Sequence, residues 1–376
     1  ENLWLGRRGT DRARDHSQGR LLLKAPVVAP GWRAAAYFFS AAQSAAPTMP
    51  ALLKNSAGTT ISTLTIPPAP SDPQRFLVIS EIMYHPTDPS PTELAAGFID
   101  ADDFEFIEIV NTGTSSIDLR GLYIYDAVGF DFDSSTLGTT LAAGARIILA
   151  ARRSAFEFRY GTSLPVAGSY TGNLNNAGET ITIRDDNDAI IRQVSYQPIN
   201  GWPTEADGAG YSLVAITPDQ FANDNNGSYW RPSNTTQGNP GTSDATYWTS
   251  WANAHNLTDP QADPDADGIP NLLEYAMGGN PTVSNPELML SLAIIPVTLN
   301  SITDDYIQLT HPQKYGTDSV LVFLESSTNL QGPWTTEDLL LSRTRDASGK
   351  ETIIHRSATP VSSQDRKFWR IRAQLR

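Results

Sequence analysis

Residues 104–113 read FEFIEIVNTG, and this stretch decides the fold class. Aromatic and β-branched residues follow one another from Phe104 to Val110, which favours a β-strand over a helix. Asn111, Thr112 and Gly113 then supply residues that favour a turn. The stretch therefore predicts one strand that ends in a tight turn.

Outward from this stretch, six further runs have the same composition and are separated by turn residues. They are FLVISEIMY (76–84), IDLRGLYIY (117–125), RIILA (146–150), TITIR (180–184), IIRQVSY (190–196) and YSLVAI (211–216). Seven short strands at this spacing predict an antiparallel β-sandwich. One helix is predicted at Ser154–Tyr160, with Ser154 as its N-cap and Gly161 at its end.

The segment 76–222 resembles the lamin tail domain, an immunoglobulin-like module. The resemblance rests on ISEIMYHP (79–86), FEFIEIVNTG (104–113), IDLRGLYIYD (117–126), LAAGARIILA (141–150) and GYSL (210–213). It implies an immunoglobulin-like sandwich without catalytic residues. In bacteria such domains occur in large exported proteins, and the resemblance implies nothing about the nuclear lamina.

Two segments of biased composition flank this domain. Residues 1–75 hold nine Lys/Arg and four Asp/Glu and become rich in Ala and Pro, so we predict a linker or the remnant of an upstream domain. Residues 223–245 are rich in Asn, Gly, Ser and Thr and are predicted as a second linker.

The remaining residues predict a connector at 246–284 and a C-terminal β-sandwich at 285–376. In the connector, Trp248, Trp251 and His255 have helical spacing, and a second helix is predicted at Asn271–Met277, ending at Gly278 and Gly279. The C-terminal strands are expected in LMLSLAIIPV, YIQLT, SVLVFLESST, ETIIHRS and KFWRIRAQL. The predicted fold class is thus mainly β, with two immunoglobulin-like β-sandwiches joined by a short helix–calcium loop–helix connector.

The connector contains DPDADGIPNLLE, which fits the twelve-position template of a calcium loop. Alternate positions of such a loop point oxygens at the ion, and glycine at position 6 permits the left-handed turn that aims the next carbonyl inward. The predicted ligands are the side chains of Asp263, Asp265, Asp267, Asn271 and Glu274, with the backbone carbonyl of Ile269. The alternative is a solvated acidic hinge without metal.

Two further resemblances concern the C-terminal part. Pro270 lacks the N–H through which paired EF-hand loops join, so the loop resembles the lone calcium loops of thrombospondin type 3 repeats and dockerins. Residues LEYAMGGNP followed by VFLESSTNL resemble a C-terminal module of exported proteins in verrucomicrobia-like bacteria. Both resemblances imply an exported protein with a structural calcium ion.

Composition excludes several function classes. Outside residues 1–75 the chain holds 18 Lys/Arg and 37 Asp/Glu, and this acidity disfavours nucleic acid as a partner. The chain has no cysteine, which excludes disulfides, cysteine zinc sites and thiol catalysis. No apolar run is long enough for a membrane span. Motifs for phosphate binding, zinc proteases and serine hydrolases are missing as well.

Two other groups of residues are candidate sites. Trp202 and Trp230 lie in a Gly/Asn-rich region and are predicted either to stack on a ligand such as a sugar or to close one end of the sandwich. Glu105 and Glu108 lie three residues apart on one strand, hence on opposite faces, and cannot flank one glycosidic bond. Glu108 is expected to be a buried, hydrogen-bonded carboxylate.

From these features we predict a non-enzymatic accessory or adhesion segment of a larger exported protein, secreted or at the cell surface, with calcium as its cofactor. Its partner is expected to be extracellular, with polysaccharide as one candidate. The alternatives are an extracellular carbohydrate-binding module and the non-catalytic tail of an exported enzyme such as a spore-coat-type kinase or hydrolase.

Overall fold

The computed structural model describes residues 49–54, 60–66, 70–218, 224–336, 339–346, 349–363 and 366–376. The chain divides into two compact units, residues 1–75 and 76–376. In the first unit, strands β1 (Met49–Lys54) and β2 (Thr60–Ile66) pair antiparallel. Helix α1 (Asp72–Phe76) lies at the boundary between the two units. The basic residues up to position 48 lie outside the described residues.

The second unit begins with a domain of twelve strands and two short helices. Its strands are β3 (Leu77–Met83), β4 (Phe106–Asn111), β5 (Ile117–Asp118), β6 (Tyr123–Ile124), β7 (Phe130–Asp131), β8 (Thr140–Leu141), β9 (Arg146–Ala150), β10 (Val166–Ser169), β11 (Glu179–Arg184), β12 (Ile190–Tyr196), β13 (Leu213–Ala215) and β14 (Trp230–Pro232). Its helices are α2 (Pro91–Ala95) and α3 (Arg153–Tyr160).

These strands form two principal sheets with one core between them. One sheet has the order β10-β9-β4-β3-β13-β14, and the other has the order β12-β11-β6-β7, while β5 and β8 form a separate pair. Ile79, Ile109, Ile181 and Val194 are fully buried members of the core. Alternation along β4 and β11 supplies these apolar faces, and their burial is the main stabilising contribution of the domain.

The structure departs from the sequence prediction at several places in this domain: β7 and β8 were not predicted, and the predicted run 117–125 forms two strands, β5 and β6. β10, which was not predicted, pairs parallel to β9, so the sandwich is not wholly antiparallel. Helix α3 begins at Arg153 with Arg152 at the N-cap position, so Ser154 is inside the helix and not its cap. β14 belongs to the segment predicted as a linker at 223–245 and pairs antiparallel with β13.

The C-terminal part contains two helices and six strands. They are α4 (Trp248–Ala254), α5 (Asn271–Met277), β15 (Ser291–Leu299), β16 (Ile302–Lys314), β17 (Val320–Ser327), β18 (Leu339–Arg345), β19 (Lys350–Arg356) and β20 (Phe368–Leu375). Sheet β15-β16-β19-β18 and ribbon β17-β20 make up its β structure. β18 was missed because LLLSRTR has three adjacent leucines and no alternation.

Aromatic packing joins the two helices to the C-terminal strands. Trp248 and Trp251 of α4 pack with Tyr275 of α5 and Val320 of β17 in one cluster. The mainly β fold class predicted from sequence is confirmed. Among the described residues, none of the helices combines the length and the apolar composition needed to cross a membrane.

Candidate metal centre

The predicted calcium loop folds into a tight turn that leads directly into α5. Ligand oxygens of Asp263, Asp265 and Asp267 all lie within 4.8 Å of one another. Gly268 has φ of +90°, the left-handed conformation that position 6 of the template requires and that glycine adopts without strain. Three carboxylates thus converge as the sequence spacing predicts.

Backbone N–H groups hold these carboxylates in place. Asp263 accepts hydrogen bonds from the N–H groups of Asp267 (3.2 Å) and Gly268 (2.9 Å). Asp267 accepts one from the N–H of Ile269 (2.8 Å). These bonds explain why the loop stays curled around its acidic side chains despite their mutual repulsion.

The most informative residue of the site is Glu274, which lies on the first turn of α5. Glu274 is fully buried, and among the described residues neither of its carboxylate oxygens has a hydrogen-bond partner. The same holds for Oδ2 of Asp265 and Oδ1 of Asn271. Buried oxygens without a donor are rare in native proteins, and a bound cation or an ordered water would supply the missing partner.

The electrostatics of Glu274 agree with its geometry. Burial raises the pKa of Glu274 to about 7, and the charges of the three aspartates add to the rise. A divalent cation at this point would remove both causes, because it would solvate the carboxylate and neutralise its neighbours. The donor set consists of carboxylate and amide oxygens, which suit hard cations such as calcium, magnesium and manganese better than zinc or copper.

Of the predicted ligands, Glu274 does not belong to the group of described carboxylates whose oxygens lie within 4.8 Å of one another, which consists of the three aspartates. Asn271 is fully buried, and its Nδ2 donates to the carbonyl of Asp259 at 2.9 Å, which leaves Oδ1 as its acceptor atom. The side chain of Ile269 is buried in a small cluster with Met277 and Leu288. The residues present therefore fit a calcium ion.

The structure adds a partner of the loop that sequence reasoning missed. Oδ2 of Asp267 accepts a hydrogen bond from the N–H of Asn285 at 2.7 Å. The carbonyl of Glu274 accepts another from the N–H of Gly279, also at 2.7 Å. The bond to Asn285 connects the acidic loop with the segment that leads into β15, and no local sequence signal indicates it. The bond to Gly279 is local and belongs to the predicted end of α5 at Gly278 and Gly279.

The two tryptophans weighed as ligand-stacking residues are not available to a ligand. Trp202 and Trp230 are 6% and 4% exposed and stack on each other with ring centroids 5.9 Å apart. The indole N–H of Trp230 donates to the carbonyl of Asp224 at 2.9 Å. The ligand-stacking interpretation is therefore wrong, because both rings close one end of the hydrophobic core.

The carboxylates of the first domain are buried and engaged in structural hydrogen bonds. Glu105 accepts from the hydroxyl of Tyr170 and the N–H of Leu174, on the opposite side of the strand from Glu108. Glu108 accepts from Ser80 at 2.5 Å and from Arg146 at 2.9 Å. Glu108 is thus the buried, hydrogen-bonded carboxylate that the sequence predicted.

Glu81 stands directly opposite Glu108 on the neighbouring strand. Together the two carboxylates bind backbone from the segment predicted as a linker. Glu81 accepts from the N–H of Asn239 at 3.0 Å, and Glu108 accepts from the N–H of Gly241 at 2.6 Å. The described part of that segment therefore lies against the sheet as part of the folded unit.

Arg231 links the first domain to the C-terminal part through hydrogen bonds to two aspartates. It is 7% exposed and donates to Asp244 at 2.8 Å and to Asp318 at 2.7 Å. Asp318 immediately precedes the strand region of β17, so one guanidinium connects the first domain with the C-terminal module. Sequence reasoning missed this residue, since its two partners lie 13 and 87 positions away.

Comparison with known proteins gives one family match, and it covers most of the first domain. Residues 70–198 match the family model of the Lamin Tail Domain. The matched range of the lamin tail domain runs from α1 to β12, whereas β13 and β14 extend its larger sheet beyond the match. Searches of curated proteins and of solved structures found no match.

Proposed function

We propose that this chain is a non-enzymatic accessory segment of an exported protein, in which one structural calcium ion fixes the connector between a lamin tail domain and a C-terminal β module. The observation that carries the proposal is Glu274, whose buried carboxylate is repelled by the charges of three aspartates and has no hydrogen-bond donor among the described residues. A bound cation supplies the missing partner.

A structural role for the ion is favoured over a sensor role. The loop is bonded to Asn285, and α5 packs through Leu272 and Tyr275 into the cluster that contains Val320. An ion bound only by the folded loop stabilises it by about 2.7 kcal/mol at a hundredfold excess over Kd. The resemblance to thrombospondin type 3 and dockerin loops, and to a C-terminal module of verrucomicrobia-like bacteria, supports export to a calcium-containing medium.

The absence of catalysis is proposed on the geometry of the strongest carboxylate pair. Glu81 and Glu108 line a cavity of only about 10 Å³, which is the space of one water molecule. No substrate reaches them in this arrangement. An accessory or adhesion role at the cell surface is therefore the function that we favour.

If calcium binds at this site, the order of thermal stability of the native chain and Glu274→Gln should reverse between calcium and chelator. In calcium, the native chain should melt several degrees higher than in chelator, whereas Glu274→Gln should show no calcium shift. In chelator, Glu274→Gln should be the more stable of the two, because it removes a buried carboxylate that three aspartates repel. Calorimetric melting and isothermal titration with calcium measure both effects.

A matched pair of substitutions controls this experiment. Asp265→Asn should weaken calcium binding at least tenfold, whereas Asp305→Asn, at an exposed position on β16, should leave it unchanged. Hydrogen exchange should show calcium protecting the amides of α5 more than those of β3. Identical melting of the native chain in calcium and in chelator would refute the structural ion.

A further inference from the structure

The C-terminal module contains a cavity of about 180 Å³ between β16, the turn that follows β19 and the start of β20. Ile307, Pro360, Val361 and Trp369 form its apolar part, and Ser357 and Thr359 line it as well. Arg366 and Lys367 complete the lining, and Arg366 is exposed. For scale, a dry protein cavity of about 150 Å³ binds benzene. We call this cavity the β16–β20 groove.

The groove has a rigid wall. Ser357 is 1% exposed, accepts a hydrogen bond from the N–H of Ile307 at 3.1 Å and donates one to the carbonyl of Thr359 at 2.8 Å. The hydroxyl of Ser363 donates to the carbonyl of Pro360 at 2.6 Å. The turn is therefore attached to β16, and a ligand would meet a preformed surface.

An aliphatic strip continues the groove along the sheet. Ile294 pairs with Ile307 across β15 and β16 and is 63% exposed, and Leu292 on the same face is 52% exposed. Val361 on the turn is 41% exposed. Apolar surface of this kind gains free energy when it is covered, and adjacent exposed aliphatic residues of a folded domain mark a binding surface.

The two charged residues that line the groove, Arg366 and Lys367, are both basic. Of the other basic residues in 366–376, Arg370 and Arg372 form ion pairs with Glu325. The ammonium of Lys367 lies 5.7 Å from the ring centroid of Trp369, which places positive charge beside an apolar wall. Asp305 lies two residues before Ile307 and disfavours an anion at the far end.

We propose that the β16–β20 groove binds a small amphipathic anion, with its apolar body against Ile307, Val361 and Trp369 and its single carboxylate or similar group at Arg366. The cavity volume limits the apolar body to about one aromatic ring or a chain of six to eight carbons. This binding is independent of the calcium site, which lies on the connector.

Three eight-carbon probes test the proposal on the full chain in calcium buffer. Octanoate, octan-1-ol and octylammonium share one apolar body and differ in charge. Saturation-transfer NMR and tryptophan fluorescence should show octanoate binding with a Kd on the order of 1 mM. Octan-1-ol should bind roughly tenfold more weakly, and octylammonium should not bind measurably.

Substitutions locate the bound probe. Val361→Glu should weaken octanoate binding at least tenfold, and Arg366→Gln should weaken octanoate severalfold without changing octan-1-ol. Leu330→Glu, at a position 64% exposed outside the groove, is the matched control and should change neither. Val361→Ser, a milder change, should weaken all apolar probes and provides the readout if Val361→Glu lowers the melting temperature.

Three outcomes would overturn the proposal. Equal affinity for the three probes would indicate unspecific hydrophobic binding. Unchanged octanoate binding in Val361→Glu would place the probe elsewhere. Binding to vesicles that contain phosphatidylglycerol, without binding to dissolved octanoate, would indicate a membrane-contacting surface instead of a small-ligand groove.

Discussion

Arg231→Leu is expected to lower the free energy of unfolding by about 3–5 kcal/mol, because it leaves two buried carboxylates without their cation. Asp244 and Asp318 are 7% and 6% exposed, so water cannot replace the guanidinium at either. Arg231 also donates to the carbonyl of Pro232 at 3.0 Å, a bond that leucine cannot make. Urea denaturation in saturating calcium measures the loss.

Arg120 provides a control that distinguishes the loss of a buried ion pair from the loss of an exposed one. Arg120→Leu removes an arginine paired with Asp118, but both side chains are more than half exposed, and we expect a much smaller change because solvent screens the pair. Adding Asp244→Asn and Asp318→Asn to Arg231→Leu should recover part of the stability, since the neutral amides need no counter-charge. Equal losses in Arg231→Leu and Arg120→Leu would contradict the buried network.

Stability should also fall as the pH rises from about 4.5 to about 8, and Glu81 should be a principal cause. Burial raises the pKa of Glu81 to about 8, and the neighbouring charge of Glu108 adds to the rise. In this window the folded state keeps a proton that the unfolded state releases, so the free energy of unfolding decreases with pH. The contribution of Glu81 is on the order of 4 kcal/mol across the window.

Glu81→Gln should remove this contribution. The amide keeps an oxygen acceptor for Ser212 and Asn239, whose donors lie 2.6 Å and 3.0 Å from the carboxylate, and it never ionises. The variant should therefore be the more stable chain at pH 8.5 and lose less stability between pH 5.5 and pH 8.5. Chemical denaturation at both values, with calcium saturating, gives the comparison.

Glu205→Gln is the control for that series, because Glu205 is exposed and the same atoms change. Its dependence on pH should match that of the native chain. Burial also raises the pKa of Glu105 to about 8, so a residual decline in Glu81→Gln is expected, and Glu81→Gln/Glu105→Gln should be flatter still. A native chain that is equally stable at pH 5.5 and pH 8.5 would refute a protonated Glu81.

The strands and the turn formed by the acidic loop could be predicted from sequence because their signals are local. The β-branched and apolar runs RIILA and IIRQVSY mark β9 and β12 at their observed bounds. In the acidic loop, Asp263, Asp265 and Asp267 converge because alternate residues of a tight turn point to the same side. Local sequence is therefore sufficient to predict these strands and the turn of the acidic loop.

Only the tertiary structure decided which side chains are buried and what they contact. Trp202 and Trp230 are residues of the type that stacks on sugars. In the structure, however, the two rings stack on each other, although they are 28 positions apart in the sequence. Arg231 looks like any surface arginine in sequence, and only the approach of Asp318 turns it into a buried connection. Such contacts form between residues that are distant in sequence, so their energy depends on the assembled fold and not on local pattern.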